Sequence, residues 1–373
     1  MVIFIALLSV CALYLLHNYL FNRLWMKNLS AELNFSQENA MEGQDISLHE
    51  TVTNRKWLPL PIIQVKFMTS KYLIFADNHN SNITDHYYRN DILSLMMFQR
   101  ITRTLTFNCS HRGYYIINRM DLVCSNIFMT LANFKDFELD IHLYVYPKTF
   151  EYVRIEIPFQ KMLGTVLTKR FINEDPFEFR TIREYQSYDN LKAINWKASA
   201  KTGTLKVNVN DYTSSQQIKI FLNIEYEGMR IHEDIQEESI RIAATFAIAF
   251  IEQGIPVSIL TNAKDIITHE VLHIPPGSGK NHIRALMETL SRIDTAQGAT
   301  AFVSTIQQEL EQSTKNDYII LISAYQKDDL QCLLMDQQQF KIEYSWIIPT
   351  NNEVEIHVCD AIMSKVVPWN MIS

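Results

Sequence analysis

His269-Glu270-Val271-Leu272-His273 fits the HExxH pattern. On a helix, residues four apart share one face, so both imidazoles reach one zinc while the Glu handles the water; the chemistry would be a zinc-dependent hydrolysis, with Glu288 as third ligand. The flanks argue for a different backbone. Ile266-Ile267-Thr268 before the motif and Pro275-Pro276 after it favour an extended segment. There, residues four apart sit ~13 Å from each other at ~3.3 Å per residue, too far to share a metal. The segment therefore reads as a solvent-edge strand. Just beyond it, Pro276-Gly277-Ser278-Gly279-Lys280-Asn281 has the ending of a phosphate loop, but Ile274 and Asn281 stand where the first Gly and the Ser/Thr are needed. A Gly-containing loop opening a helix at Asn281 is the simpler reading. No Ser/His/Asp order or Cys/His pair suggests a nucleophile.

A second constellation lies in about twenty residues: Arg183, Tyr185, Asp189, Trp196, Ser199 and Lys201. Two readings fit these types. One is a structural network, with Arg paired to Asp, Trp packed as an anchor and Ser at a helix end. The other is a binding face for a protein partner, because Trp, Tyr and Arg dominate interface hot spots. Asp189 is placed to cap a short helix with Leu191, Ile194 and Ala198 as apolar positions, Lys197 and Lys201 near its carbonyl end and Gly203 closing it. Leu205, Val207 and Val209 then alternate into a strand.

The elements around these residues divide the chain into residues 1–27, an apolar anchor with a basic flank; 28–150, a β-sandwich; 151–212, the segment just described; and 213–373, an α/β domain. From Met1 through Asn22 no Asp, Glu, Lys or Arg occurs. As a helix that run reaches about 30 Å, roughly one hydrocarbon thickness. No basic residue precedes it, whereas Arg23, Trp25 and Lys27 follow it. That pattern argues against a cleaved signal peptide and for a single span with Trp25 at the headgroups and a cytoplasmic body. Between Ser30 and Lys148, short β-branched or aromatic stretches separated by polar turns predict an all-β sandwich. After Gln216, Ile218–Leu222 and Pro256–Leu260 read as strands and Glu237–Gln253 as a helix closed by Gly254. Helical spacing recurs at Ile283–Leu290, Phe302–Leu310 and Leu330–Leu334, with a strand at Tyr318–Ile322. Strand and helix in alternation predict a parallel sheet covered on both faces.

Composition sets the outer limits. The 373 residues carry 34 Lys+Arg against 41 Asp+Glu, a net charge of −7, without a long basic run. Binding to a phosphate backbone needs a basic footprint, so nucleic acid is excluded as a partner class. With 47% apolar residues, 9 Gly and 10 Pro, most of the chain is expected to fold. Cys11, Cys109, Cys124, Cys332 and Cys359 are scattered and form no CxxC pair. They read as buried reduced thiols, neither a disulfide framework nor a zinc ribbon.

The spacing Arg183-x-Tyr185-x-x-x-Asp189-x-x-x-x-Ile194-x-Trp196-x-x-Ser199-Ala200-Lys201 resembles the signature of the domain of unknown function 58 (DUF 58) family, R-x-Y-x-x-G-D-x-x-R-x-I-x-W-x-x-S-A-R. Trp57-Leu58-Pro59-Leu60-Pro61, His111-Arg112-Gly113-Tyr114-Tyr115 and Gly277–Leu290 resemble further family segments, so the likeness covers nearly the whole chain. Tyr188 stands for the family Gly, one extra residue precedes Ile194, and Lys201 stands for Arg. The resemblance implies an immunoglobulin-like sandwich followed by a von Willebrand factor A-like, Rossmann-type domain. It also implies a membrane-anchored scaffold that assembles or matures other proteins, with a MoxR-type AAA+ ATPase as partner. The metal-dependent adhesion site of von Willebrand A domains would fall on Asn223, Glu225, Glu227 and Thr300. Asn223-Ile224-Glu225-Tyr226-Glu227 departs from D-x-S-x-S, and Ser323-Ala324-Tyr325 lacks the later Asp. The expectation is a non-catalytic protein with no cofactor and no complete metal site, with a zinc hydrolase or an outward-facing metal-dependent adhesion module as alternatives.

Overall fold

The computed structural model describes residues 1–373 apart from 78–79, 131, 173–178, 187–193, 211–215, 226–231, 297–298, 314–316, 340–341, 352–354 and 372–373. Two compact units divide the chain, Met1–Lys148 and Thr149–Ser373.

The first unit opens with helix α1 (Val2–Leu24), long and apolar enough to cross a membrane. Ten strands follow: β1 (Leu29–Phe35), β2 (Asn39–Met41), β3 (Asp45–Asn54), β4 (Leu60–Ser70), β5 (Leu73–Phe75), β6 (Ser81–Ile83), β7 (His86–Leu95), β8 (Arg100–Cys109), β9 (Gly113–Ser125) and β10 (Ala132–Tyr146). They form a four-stranded sheet, β1-β3-β8-β5, and a six-stranded sheet, β2-β10-β9-β4-β7-β6. Their pairing is antiparallel except for β10 with β2. Alternate side chains point inward, as the two-residue strand period demands. Leu48, Val52 and Phe107 from one sheet join Ile63, Val65 and Leu122 from the other in one core. The expected sandwich is present. Trp25 is not at its surface: Phe21 and Trp25 are buried in the same core, and the Lys56 Nζ donates to the Trp25 carbonyl at 2.7 Å. The expected headgroup role of Trp25 fails because the end of α1 is folded into the sandwich. Of the five thiols, Cys109 and Cys124 are buried, as expected, while Cys11, Cys332 and Cys359 are exposed.

The second unit begins with α2 (Tyr152–Ile172), followed by β11 (Phe179–Glu184), α3 (Trp196–Thr202) and β12 (Lys206–Asn210), with β11 and β12 paired antiparallel. The remaining elements are β13 (Ile218–Leu222), α4 (Glu233–Glu252), β14 (Val257–Asp265), β15 (Val271–Gly277), α5 (Lys280–Ser291), β16 (Ile293–Asp294), α6 (Phe302–Gln312), β17 (Tyr318–Ile322), α7 (Asp328–Gln339), β18 (Glu343–Thr350), α8 (Asp360–Met363) and β19 (Val366–Asn370). They build a seven-stranded sheet in the order β15-β14-β13-β17-β18-β19, with β16 paired to β14. The strands β14, β13, β17, β18 and β19 run parallel, and β15 and β16 are antiparallel to β14. Every residue of β13 and β17 is buried, which is why β17 is a continuous apolar run and β13 is broken only by Lys219, whose Nζ pairs with Glu309 at 2.8 Å. Phe221, Leu321 and Trp346 face α6, α7 and α8 in one cluster; their neighbours Ile220, Leu222, Ile320 and Ile347, on the opposite face, are equally buried.

Helix α2 was not expected within 151–212. Ile155, Phe159, Met162 and Val166 are its buried stripe, and the Phe159 ring lies 4.8 Å from that of Phe250 on α4. Pro158 inside it removes one backbone donor.

Candidate functional site

Two groups of expected residues come together in the second unit, and they do different work. In the first, β11 and β12 carry the segment that holds Arg183 and Tyr185. Arg183 stands opposite Val207, its Nη1 donating to the Glu184 carbonyl at 3.0 Å, and the Tyr185 N–H donates to the Leu205 carbonyl at 2.9 Å. Helix α3 starts at Trp196, and its N-cap is Asn195, whose Oδ1 accepts from the Ala198 N–H at 2.9 Å. This corrects the expected cap: Ile194 is not helical but forms a β-bridge to Val207, and Asp189 lies outside the described residues. Gly203 ends the helix as expected, at φ +74°, a left-handed conformation that a side chain would strain.

Ser199 is the hinge pin of this group. Its buried hydroxyl donates to the Asn195 carbonyl and accepts from the Lys206 N–H, both at 2.8 Å. Asn195 reinforces the same seam, its N–H donating to the Lys206 carbonyl at 2.8 Å and its Nδ2 to the Asn208 Oδ1 at 2.8 Å. Helix and strand are thus locked together by side chains that lie between them. Trp196 is not part of that lock. Its indole is 68% exposed, on the same short helix as the exposed Lys197 and Lys201. A large aromatic side chain held in water by a hydrogen-bonded base is suited to binding.

The second group sits at the carboxyl ends of the parallel strands. Asn223 follows β13, Ser323 follows β17, and Asn262 lies near the end of β14. Strand order reverses at β13, because the chain passes first to β14 and later to β17; in open sheets of this kind that is where ligands bind. Here the side chains at the strand ends bond to one another. The Asn223 Nδ2 donates to the Ser323 Oγ at 2.9 Å, and its Oδ1 accepts from the Asn262 Nδ2 at 2.9 Å and the Glu225 N–H at 2.8 Å. The Asn262 Oδ1 accepts from the Ile224 N–H at 3.0 Å, and its Nδ2 also donates to the Thr300 carbonyl at 2.9 Å. Glu225 turns its carboxylate onto the first N–H of α6, that of Phe302, at 2.9 Å. Thr300 donates its hydroxyl to the Asn262 carbonyl at 3.3 Å. The arrangement brings Asn223, Glu225 and Thr300 around Asn262, a residue not singled out from the sequence, and Glu227 lies outside the described residues. The available signal was the polar Thr261-Asn262 pair directly after the apolar Ile259-Leu260 of β14. The amides of Asn223 and Asn262, bonded to each other and to the Ser323 hydroxyl, make a neutral seam that ties the ends of β13, β14 and β17 together.

The HExxH residues do not form a helix. His269 is at φ +59° in the turn joining β14 to β15, with its N–H donating to the Asp265 carbonyl at 2.9 Å. His273 is exposed on β15, opposite Leu260. Glu288 on α5 pairs with Arg284 at 2.7 Å. Gly277 packs against His282, where an added Cβ would come within 2.5 Å of the imidazole, so packing accounts for this glycine. Among the described residues no group of three or more His, Cys, Asp or Glu side chains could hold a metal ion.

Among solved structures, the CARDB domain of the PF1109 protein from Pyrococcus furiosus, in complex with di-metal ions, is similar at 14% identity, with a TM-score of 0.21, over 31% of this chain and 86% of that one. The sporulation control protein Spo0M from Bacillus subtilis is similar at 10% identity and a TM-score of 0.21, over 43% of this chain and 59% of that one. Domains D2 and D3 of the major pilin SpaD from Corynebacterium diphtheriae are similar at 9% identity and a TM-score of 0.23, over 31% of this chain and 52% of that one. No curated protein matches the chain. The model of the family described as Protein of unknown function DUF58 matches residues 181–339, from Arg183 through α3 and onward to α7, which supports the DUF58 resemblance.

Proposed function

We propose that this chain is a non-catalytic scaffold anchored in the cell membrane by α1, with an immunoglobulin-like sandwich and a von Willebrand A-like second unit in the cytoplasm. It holds a protein partner, of which a MoxR-type AAA+ ATPase is the family's example, for assembly or maturation work at the membrane. The observation that carries this reading is the exposed Trp196 on a helix latched to β12 through Ser199 and Asn195. A tryptophan on a backbone held in this way has only two side-chain torsions to fix on binding, and such residues anchor interfaces. The second support is that Asn223, Asn262 and Ser323, at the strand ends where sheets of this order carry ligands, spend polar groups on one another.

The test is capture of partners from detergent-solubilised membranes by the wild-type full chain and by Trp196→Ala and Arg183→Ala variants with unchanged circular dichroism. The expected result is that Trp196→Ala loses at least tenfold of the captured partner. Identical partner sets and amounts in all three overturn the assignment of this face.

A further inference from the structure

The end of the sandwich from which α1 leaves has a charge pattern that a water-facing surface does not need. Strands β4, β7 and β9 lie side by side, and their register puts Ile63 beside both Leu93 and Cys124. The last charged residues before the loops fall on nearly one row, with Lys66 beside Asp121 and Val65 beside Asp91. Beyond that row, residues 57–65, 92–99 and 122–134 contain no Asp, Glu, Lys or Arg. Their loop tips are large, apolar and exposed. Ile127, Phe128 and Met129 form one tip, Met96, Met97 and Phe98 a second, and Trp57 stands on a third. Monomeric surfaces rarely leave that much clustered apolar area in water.

Three side-chain pairs fix this end against α1. The Asn133 Nδ2 donates to the Asn22 Oδ1 at 2.9 Å, the Asn126 Nδ2 to the Asn18 Oδ1 at 2.8 Å, and the Tyr14 hydroxyl to the Thr130 Oγ1 at 3.0 Å. The first pair sets the charge-free zones in register. On the helix the next residue is Arg23; on the sheet, Asn133 is opposite Cys124, two residues from Lys135. Both zones therefore end within about 7 Å of one height, at ~3.3 Å per strand residue. From there α1 rises about 12 Å to Tyr14, at ~1.5 Å per residue, and Phe128 packs edge-on against that ring. Two backbone donors of the hairpin tip are satisfied within it, the Thr130 N–H by the Asn126 Oδ1 and the Met129 N–H by the Asn126 carbonyl, both at 3.0 Å. That closure is what a non-helical segment needs where water is scarce. The exposed Arg55 and Arg100 flank the other two tips, where cations meet anionic headgroups.

We infer that the tips at Trp57, Met96–Phe98 and Ile127–Met129 are seated in the bilayer leaflet that α1 enters, so that the sandwich stands on the membrane by a broad lipid-contacting foot and not by one helix alone. The inference rests on the reading of α1 as a span. The occupant of the surface is bilayer lipid, because the helix that leaves through this same end is itself a lipid-facing element.

The experiment uses the full chain with Cys332→Ser and Cys359→Ser, reconstituted in vesicles of phosphatidylcholine and phosphatidylglycerol. An environment-sensitive fluorophore is attached in turn to Cys11 and, with Cys11→Ser added, to Met97→Cys, Phe128→Cys or Ile74→Cys; Ile74 lies at the far end of β8, opposite Asn108. Quenching is read with iodide in water and with nitroxide-labelled lipid. The expected result is that positions 11, 97 and 128 are quenched several-fold more by the lipid nitroxide, and position 74 by iodide. Iodide quenching at 97 and 128 with lipid quenching at 11 overturns the foot and leaves the anchor standing. Iodide quenching at all of them overturns the anchor and the foot together. Protection of 97 and 128 from both quenchers means that protein, such as a second copy, covers the surface, and also overturns the inference.

Discussion

Inside the sandwich, Glu50 is a buried carboxyl group with a second one, Asp91, beside it. Burial raises its pKa first, and Asp91 raises it further, while Arg103 and Arg89 pull it back, leaving it at about 7 instead of 4.5. Asp91 is itself engaged by Arg89 and by the Arg103 Nη1 at 3.0 Å, and Glu50, buried beside that carboxyl group, holds its proton well above the usual carboxylate range. The sign follows from proton uptake. Between pH 4.5 and 7 the folded protein holds a proton that the unfolded chain has released, so stability falls as pH rises through that window. The contribution is fully present below pH 4.5 and gone above about 7. Glu50→Gln is expected to remove this dependence. The free-energy difference between wild type and variant, from chemical denaturation of the sandwich, should move by about 3 kcal/mol across the window. A constant difference would show that Glu50 is ionised in the fold.

At the level of elements, the α3–β12 latch shows how little of a fold rests on hydrophobic pattern alone. Asn195→Ala removes the acceptor for the Ala198 N–H and leaves the Asn208 side chain without its donor. The cost is expected at about 1–2 kcal/mol in denaturant titrations of the second unit, with Asn195→Asp intermediate because it keeps the cap and loses the donor. The wrong cap at Asp189 in the residue pattern has a simple cause. Asp and Asn are both good caps, and Ile194 fits an apolar helix position until its bridge to Val207 is known. Four elements of the second unit, β13, α4, α5 and β17, were legible because fully buried strands are mostly apolar and buried helix faces repeat at 3.6 residues. Helix α2 was not, although Ile155, Phe159, Met162 and Val166 are spaced for it, because Pro158 interrupts the stretch as a breaker would. Trp25 was misplaced for a related reason: a tryptophan after an apolar helix fits an interfacial belt and a protein core equally well, and only the tertiary packing chooses. The candidate site divides in the same way. Trp196 and Ser199 stood out by spacing, whereas Asn262 acquires its role only when β13, β14 and β17 are brought side by side.

For the molecule as a whole, each unit has its own core and its own buried polar device: the Glu50–Asp91 pair in the first and the Asn223–Asn262–Ser323 seam in the second. Units with separate cores are expected to unfold as separate cooperative transitions. Single substitutions can assign them. Asn262→Ala orphans the Ile224 N–H and withdraws donors from Asn223 and Thr300, a loss of about 1–3 kcal/mol or more in a buried site. In scanning calorimetry of the full chain in detergent, Asn262→Ala should lower one transition by several degrees and leave the other unmoved. Glu50→Gln, scanned at pH 5 and at pH 7.5, should shift the other transition in a pH-dependent way and spare the first. Both substitutions moving one common transition would mean that the two cores melt together. Separate transitions would fit the proposed scaffold, with the lipid contacts assigned to the first unit and the proposed binding helix α3 to the second, each resting on its own core.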